Sequence, residues 1–220
     1  MTLETKNKQL KSKKRVLDHG EVFTSEREVN NMLDLVKQET ERIDSRFLEP
    51  ACGTGNFLVE VLRRKLTIVE SRYKKSQLEY ERYAVIAISS IYGIDILEDN
   101  VIECRNRLFK IFYTQYKSLY KTNCKEECKV SIHFILQKNI LLGDALTLKK
   151  VDRNEPIIFS EWSAVSGSMI KRRDYTMANL LESQPIDELN LFSDLGDKAF
   201  IPTPVAEFPL THFLKLSEHA

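Results

Sequence analysis

The chain has 220 residues, of which 42% are hydrophobic and 30% are charged, and its formal net charge is +1. Such a length can bury the core of one large domain, and a nearly neutral charge does not by itself require a nucleic-acid partner. No apolar stretch approaches the roughly 20 residues of a membrane span, and the Lys-rich N-terminus lacks the apolar region of a secretory signal. We therefore expect a cytoplasmic protein without a membrane partner.

Positive charge is concentrated in two segments of the chain. Residues 1–15 carry five lysines and one arginine against a single acid, and Lys171, Arg172 and Arg173 form a shorter cluster. Both segments can contact phosphates, although solvated disorder is the commoner explanation of such a tail. We predict a basic flexible tail over residues 1–15, and weak, salt-sensitive DNA binding by the chain alone.

Cysteine usage indicates neither a disulfide framework nor a metal site. The four cysteines are Cys52, Cys104, Cys124 and Cys128, and their spacing does not suggest paired bridges. Cys124 and Cys128 have a loose metal-like spacing, which we do not interpret as a zinc site. We expect reduced thiols and no metal.

The predicted elements of residues 16–149 alternate between helix and strand. Ser25 and Glu28 form a capping box, and the apolar face of the helix that follows is predicted from Val29, Met32, Leu33 and Val36. Short apolar runs predict strands over residues 46–49 and 92–97, and an apolar segment ends at Gly143 and Asp144. Helical spacing predicts helices over residues 57–73, 76–90 and 98–120. This alternation predicts an α/β fold with a parallel sheet.

Residues 150–220 differ in character from the domain before them. Residues 155–170 suggest a strand or hairpin, and residues 174–182 suggest a short helix. Three prolines within residues 202–209 exclude a regular helix or a central strand there. We predict a mixed, Pro-rich C-terminal extension over residues 150–220.

Residues 47–57, FLEPACGTGNF, place two glycines directly after the first predicted strand. Glycine accepts a positive φ and lets a ligand approach the backbone, and the helix that follows offers unpaired N–H groups. A dinucleotide-binding loop needs a third glycine where this sequence has Leu58, and no Gly-Lys-Ser/Thr is present for a triphosphate. The loop therefore predicts a ligand site that is not built for a pyrophosphate or a triphosphate.

An acid follows, or ends, each of three predicted strands: Glu49, Asp95 and Asp144. The carboxyl ends of parallel strands meet at one edge of a sheet, where open α/β sheets bind their ligands. There Asp95 can accept the two ribose hydroxyls of a nucleoside, and Asp144 can accept the exocyclic amine of an adenine. These acids predict a nucleoside-containing ligand.

Four segments resemble the motifs of S-adenosylmethionine-dependent DNA adenine-N6 methyltransferases of restriction-modification systems. FLEPACGTGNFL matches their motif I, IYGIDI resembles motif II and NILLGDAL resembles motif III. HGEVFTSEREVNNML is similar to the motif that precedes these, with Ser25 in place of the usual proline. The resemblance covers about residues 16–147. It implies a Rossmann-like class I methyltransferase fold, three-layered around a parallel sheet and incomplete in this chain.

The same resemblance implies S-adenosylmethionine as the cofactor of a binding domain over residues 16–149. Residues 49–56 would wrap its methionine part, Asp95 would hold the ribose, and Asp144 would bind the adenine edge. Phe23 and Thr24 would close over the cofactor. The implied cofactor-binding set is Phe23, Thr24, Glu49, Pro50, Ala51, Cys52, Gly53, Thr54, Gly55, Asn56, Asp95, Ile96, Asp144 and Ala145.

The catalytic motif of that family is missing from the sequence. In those enzymes an Asn-Pro-Pro-Tyr or Asp-Pro-Pro-Tyr loop after the fourth strand binds the flipped adenine. The nearest segment here, NEPI at residues 154–157, lacks the proline at the motif's second position and the aromatic at its fourth, so we interpret it as a loop. Phe159 and Trp162 could stack on a base, but aromatics at such positions are more often buried in a core. The catalytic residues are therefore unknown.

Three hypotheses follow, because the cofactor-binding motifs are present in this sequence and the catalytic motif is missing. The favoured one is a cofactor-binding component of a DNA adenine-N6 methyltransferase, with DNA and a second protein chain that supplies the catalytic loop as partners. The alternative is a non-catalytic module that binds the cofactor, or serves assembly or regulation. A complete methyltransferase for another substrate has the least support, because His19 and His133 are isolated and no general base stands out.

Overall fold

The computed structural model describes residues 15, 24–151, 153–182 and 203–219. The helices with described bounds are α1 (Glu26–Leu35), α2 (Lys37–Thr40), α3 (Asn56–Tyr73), α4 (Gln77–Ser89), α5 (Glu98–Tyr120), α6 (Glu126–Asn139) and α7 (Met177–Glu182). The strands are β1 (Phe47–Glu49), β2 (Ile91–Asp95), β3 (Ile140–Leu142), β4 (Ile158–Ser166), β5 (Met169–Thr176), β6 (Ala206–Glu207) and β7 (Thr211–His212). None of the described helices combines the length and apolar character that crossing a bilayer requires.

β1, β2 and β3 form a parallel sheet in that order, with Leu48 opposite Tyr92 and Ile94 opposite Leu141. β2 is buried along its whole length, as the central strand of a parallel sheet covered on both faces must be. The predicted α/β class with a parallel sheet is confirmed, and it is consistent with a Rossmann-like methyltransferase fold. The predicted strand over 92–97 is shifted, because β2 begins at Ile91 and ends at the site acid Asp95.

The large core joins α1 and α3–α6 to the sheet. The predicted helices 57–73, 76–90 and 98–120 correspond to α3, α4 and α5, and their apolar stripes are buried in this core. The capping box at Ser25 and Glu28 is also confirmed. The predicted apolar face of α1 is only half right, because Met32 and Val36 are exposed. The helix ends at Leu35, and only Val29 and Leu33, one turn apart, reach the core.

The start of β1 is held by a buried lysine from α3. The Nζ of Lys65 donates to the carbonyl oxygen of Ile43 at 3.1 Å, to the Oγ of Ser90 at 2.6 Å, and also to the carbonyl oxygen of Ser45. Burial lowers the pKa of Lys65 to about 7. These bonds tie the segment before β1 to the turn before β2, so that the two strands enter the sheet together.

The segment after residue 150 forms an antiparallel hairpin, β4–β5, as the sequence suggested. Alternate strand residues point to opposite faces, so Tyr92 and Ile94 face away from the large core and form a smaller one with the hairpin. The Tyr92 hydroxyl donates to the carbonyl oxygen of Ser160 at 3.0 Å, and its ring meets Phe159 edge-on at 5.5 Å. The second face of the sheet is therefore covered largely by a hairpin. The described part of the Pro-rich end, residues 203–219, contributes the two-residue strands β6 and β7 and a short 3₁₀ helix (Leu216–His219), and it buries Phe213 and Leu216 in the large core.

Candidate functional site

A cavity of about 510 Å³ lies at the carboxyl ends of the three parallel strands. This is the edge at which open α/β sheets bind ligands. Its lining is drawn from the segments that follow β1, β2 and β3, together with the residue before the Ser25 cap. The lining residues are Thr24, Glu49, Pro50, Ala51, Cys52, Gly53, Asn56, Phe57, Asp95, Ile96, Leu97, Asn100, Gly143, Asp144, Ala145 and Leu146.

The loop between β1 and α3 is folded by two glycines with positive φ. Gly53 has φ 51° and Gly55 has φ 84°, a region that L side chains rarely adopt. At Gly55 a Cβ atom would also lie 2.5 Å from the Sγ of Cys104 on α5. Gly55 packs against α5, and its carbonyl oxygen accepts a hydrogen bond from the N–H of Val59 inside α3. The bare backbone lets the loop turn tightly from strand to helix.

Arg107 of α5 fixes the loop from behind. Its Nη1 donates to the carbonyl oxygen of Thr54 at 2.7 Å, to the Oγ1 of Thr54 at 2.9 Å and to the Oδ1 of Asn56 at 2.8 Å. The Nδ2 of Asn56 in turn donates to the carbonyl oxygen of Thr24 at 3.0 Å, which ties the start of α3 to the segment before α1. The loop is therefore held in shape before any ligand arrives.

Asp95 is an organiser of the cavity as well as a part of its wall. Its carboxylate accepts from the N–H of Gly53 at 2.8 Å, the N–H of Leu97 at 2.9 Å and the Nδ2 of Asn100 at 3.2 Å. The residue is only 8% exposed. A carboxylate has about four acceptor positions, so these three donors leave roughly one for a ligand hydroxyl.

Glu49, at the end of β1, differs from Asp95 in its lack of described hydrogen-bond donors. It lines the cavity, and no described residue donates a hydrogen bond to its carboxylate or forms an ion pair with it. Burial raises the pKa of Glu49 to about 7. Ionising a partly buried carboxylate that has no partner costs free energy, and a cationic ligand group would offset that cost.

The third wall of the cavity follows β3. The Oδ1 of Asp144 accepts from the N–H of Leu146 at 2.8 Å, and this hydrogen bond holds the pKa of the half-buried Asp144 below its usual value. Leu146 is 95% exposed, and Ile96, on the neighbouring wall, is half exposed. Two apolar side chains and one carboxylate therefore face the same opening.

The structure brings most of the predicted site residues together. Eleven of the fourteen predicted residues line the cavity: Thr24, Glu49, Pro50, Ala51, Cys52, Gly53, Asn56, Asp95, Ile96, Asp144 and Ala145. Thr54 and Gly55 do not line it, since they face α5. Phe23 lies outside the described residues.

Five lining residues were missed by the sequence reasoning: Phe57, Leu97, Asn100, Gly143 and Leu146. Each is a near neighbour of a predicted site residue in the sequence. Asn100 was the most accessible to prediction, because it lies in the first turn of a helix that begins just after a strand-end acid, where it can reach that acid.

The remaining sequence candidates lie outside the cavity. Phe159 and Trp162 are buried, as expected of core aromatics, and the 154–157 segment is a loop. The basic cluster at 171–173 is neutralised: Lys171 pairs with Glu207 at 3.1 Å, Arg172 with Asp174 at 2.7 Å, and Arg173 with Glu161 at 3.5 Å. Residues 1–14 of the predicted basic tail are outside the described residues.

A comparison with protein families gives an independent result. The family model for the DNA-methyltransferase domain of MmeI matches residues 23–157, which is more than half of the chain. The matched range includes every described residue that lines the cavity. A search of curated proteins found no match.

Proposed function

This chain belongs to the family of the MmeI DNA-methyltransferase domain, and we propose that it is the S-adenosylmethionine-binding component of a DNA adenine-N6 methyltransferase. Membership makes it a component of a DNA methyltransferase of the restriction-modification type. The proposal adds the cofactor, the target atom and the division of the active site between two chains.

The observation that carries the cofactor proposal is the carboxyl group of Glu49, which has no partner among the described residues. S-adenosylmethionine has a cationic amino group and a sulfonium, and it supplies an electrophilic methyl group when bound. Ionised Glu49 would hold the cationic part, while the backbone of residues 50–53 would approach it closely because Gly53 has no side chain. No described lysine or arginine lines the cavity, which disfavours a ligand with several phosphates.

The nucleoside part would lie along the ends of β2 and β3. Asp95 would accept one ribose hydroxyl at its remaining acceptor position, while keeping Gly53 in place. The half-buried carboxylate of Asp144 would accept a hydrogen bond from the exocyclic amine of the adenine. Ile96 and Leu146 would cover the faces of the ring, which supports an apolar, planar ligand group between them.

The described part of the chain offers no group for the target adenine of DNA. Methyl transfer requires the exocyclic nitrogen to attack the methyl carbon as the carbon–sulfur bond breaks, and then to lose a proton. Positioning and stabilisation of developing charge supply much of the barrier reduction in such steps. No described residue beyond Leu146 lines the cavity. We therefore assign the adenine-binding loop to a second protein chain.

Isothermal titration calorimetry tests the cofactor proposal. S-adenosylhomocysteine should bind the full chain, and Asp144→Ala should weaken binding by about 1–3 kcal/mol, the usual cost of losing a charge-assisted hydrogen bond. Asp44→Ala is the matched control, because Asp44 is exposed and lies outside the cavity. Absence of heat at millimolar ligand, or an equal loss in both variants, would refute the proposal.

A further inference from the structure

A groove of about 620 Å³ opens to solvent between α3 and α5. Three of its lining residues are cations: Arg63 of α3, and Arg107 and Lys110 of α5. No described acid lines the groove, whereas acids line the cofactor cavity and no described lysine or arginine does. The two sites share no lining residue. The groove is therefore a separate site, and its charge favours an anion.

The positive charge of the groove has little compensation within the described part of the chain. Neither Arg107 nor Lys110 forms an ion pair with a described residue, and Arg63 has only a long one, to Glu60 at 3.8 Å. Arg63 and Lys110 are exposed, and Arg107 is half-buried. Three like charges around one concavity repel one another, and an anion that carries several charges would offset that repulsion.

Arg107 presents a fixed pair of donors to such an anion. A guanidinium has five N–H groups, and Arg107 uses those on Nη1 to bind Thr54 and Asn56. The N–H groups on its Nε and Nη2 have no acceptor among the described residues. These two nitrogens form the edge of a guanidinium that can bind two oxygens of one phosphate or carboxylate. Because the loop holds Nη1, the edge is positioned before a ligand arrives.

The other lining groups favour phosphate over carboxylate. Thr114 and Ser118 lie one turn apart on α5, and both are exposed, so their hydroxyls can donate to further oxygens. A terminal phosphate offers three acceptor oxygens and close to two charges, whereas a carboxylate offers two oxygens and one charge. Phosphate therefore uses more of the donors that surround the groove.

Carboxylates beside the groove limit the length of the ligand. Two neighbouring concavities share Arg107 with the groove; Asp99 and Glu103 line one of them, and Glu26 and Glu60 line the other. An extended polyanion, such as a nucleic-acid backbone, would meet these acids where it left the groove toward α1 or toward the start of α5. A short polyanion would contact the three cations alone.

We propose that this groove binds a small ligand with two or three phosphate groups. One phosphate would lie on the Nε–Nη2 edge of Arg107, and Arg63 and Lys110 would contact the others. Since Arg107 also holds the loop after β1, a bound anion would steady that loop and raise the affinity for S-adenosylhomocysteine about fivefold. This coupling rests on the proposed function, whereas the anion site does not.

Isothermal titration calorimetry of the full chain with tripolyphosphate, at physiological ionic strength, tests the site. Saturable binding is expected, and Lys110→Ala and Arg63→Ala should each weaken it about tenfold, because each removes a charge-assisted contact. Lys37→Ala is the matched control: it removes one charge from an exposed position outside the groove, and it should change the affinity less than about twofold. An unchanged midpoint of urea unfolding shows that a variant is folded.

Citrate and duplex DNA are titrated in the same way, and each should bind at least about tenfold more weakly than tripolyphosphate. No heat at millimolar tripolyphosphate, or equal losses in Lys37→Ala and Lys110→Ala, would overturn the site. Citrate that bound as tightly as tripolyphosphate would overturn the assignment of phosphate. Duplex DNA that bound more tightly than tripolyphosphate, and lost affinity in Lys110→Ala, would assign the groove to an extended backbone and overturn the small ligand.

The coupling is measured by titrating S-adenosylhomocysteine with and without saturating tripolyphosphate. A higher affinity in the presence of the anion is expected, and equal affinities would overturn the role of Arg107 as the link. Tripolyphosphate binding by a chain that binds no S-adenosylhomocysteine would refute the proposed cofactor and support the anion site. S-adenosylhomocysteine binding without tripolyphosphate binding would do the reverse.

Discussion

The polar side chains at the carboxyl ends of the parallel strands differ from those of the β4–β5 hairpin in how far they are paired with other groups of the protein. At the carboxyl ends of the parallel strands, the carboxylate of Glu49 has no described partner, and that of the half-buried Asp144 accepts the N–H of Leu146. In the hairpin, Arg172 and Asp174 are both buried and satisfy one another, and Ser160 bonds to both. The described residues that line the cavity all lie within residues 24–146. Glu49 thus has no partner among the described residues at the place where a ligand is proposed, whereas Arg172, Asp174 and Ser160 bond to one another in the hairpin that supports the fold.

The largest expected effect comes from breaking the hairpin network. Arg172 pairs with Asp174 at 2.7 Å, and its guanidinium lies 3.8 Å from the centre of the Phe208 ring. Arg172→Ala would leave a buried carboxylate unpaired, at a cost of about 3–5 kcal/mol in the free energy of unfolding measured with urea. The affinity of the folded protein for S-adenosylhomocysteine should stay within about twofold, since no hairpin residue lines the cavity.

Arg42→Ala is the control for that experiment, because Arg42 is exposed and its closest ion pair spans 3.7 Å. It should change stability by less than about 0.5 kcal/mol. A large loss of ligand affinity in Arg172→Ala would mean that the hairpin belongs to the site, and the contrast between the two regions would be wrong.

The next largest effect is expected from substituting Gly55 in the loop after β1. It is compared with the same substitution at Gly167 in the hairpin, because both glycines have a positive φ. Gly55→Ala combines an unfavourable φ of 84° with a Cβ only 2.5 Å from the Sγ of Cys104. We expect a loss of about 2–4 kcal/mol in unfolding free energy, together with weaker binding of S-adenosylhomocysteine.

The matched control is Gly167→Ala in the turn between β4 and β5. Gly167 has φ 55°, and an added Cβ would meet nothing within 4 Å. Only the backbone cost of about 1–2 kcal/mol should appear. Equal losses in the two variants, measured by urea unfolding, would show that close packing against α5 does not shape the loop.

The pH dependence of ligand binding should report Glu49. Because burial raises its pKa to about 7, the group is protonated below that pH and ionised above it. A cationic ligand binds the ionised form, so affinity for S-adenosylmethionine should rise about tenfold between pH 6 and pH 8 and then level off. Ligand-free stability should move the other way: a raised folded-state pKa gives a contribution that is lost as pH rises from about 4.5 to about 7.

Glu49→Gln serves as the control for both measurements. It cannot ionise, so its affinity should be low and should not rise between pH 6 and pH 8. If the wild-type chain and Glu49→Gln had the same pH profile by calorimetry, Glu49 would not contact the cationic part of the ligand.

The smallest expected effect concerns DNA. Lys171 and Arg173 already pair with Glu207 and Glu161, so little free positive charge remains on the hairpin. The double substitution Lys171→Ala with Arg173→Ala should change the affinity of the chain for duplex DNA by less than about twofold at any salt concentration. A fluorescence anisotropy titration measures this. A tenfold loss with a reduced salt slope would make the hairpin a DNA-contact surface.

Most elements of residues 24–149 could be predicted because local rules and tertiary packing agree there. The capping box at Ser25 and the acids that open α5 give helix starts that packing leaves unchanged. α6 was not predicted as a separate helix, because its last residues, 134–139, continue without a break into the apolar strand β3. A run of apolar residues does not reveal where a helix ends and a buried strand begins.

The sequence predicted which segments form the site. It did not predict which way each residue of those segments faces. Glu49, Asp95 and Asp144 could be predicted because each lies at or after the end of a predicted strand, and parallel strands bring their carboxyl ends together. The sequence could not reveal that Thr54 and Gly55 turn toward α5, because that depends on the long-range contact with Arg107. It could not reveal either that Asp95 is largely occupied by donors of its own chain.

The central claim is that this chain holds the cofactor and lacks the group that positions an adenine. One measurement tests both parts: the full chain is incubated with tritiated S-adenosylmethionine and duplex DNA, and the label is then partitioned between protein and DNA. We expect cofactor label retained with the protein, weaker retention in Asp144→Ala, and no tritium in adenine. Label transferred to DNA by this chain alone would contradict the divided active site, and label on neither component would contradict the cofactor site itself.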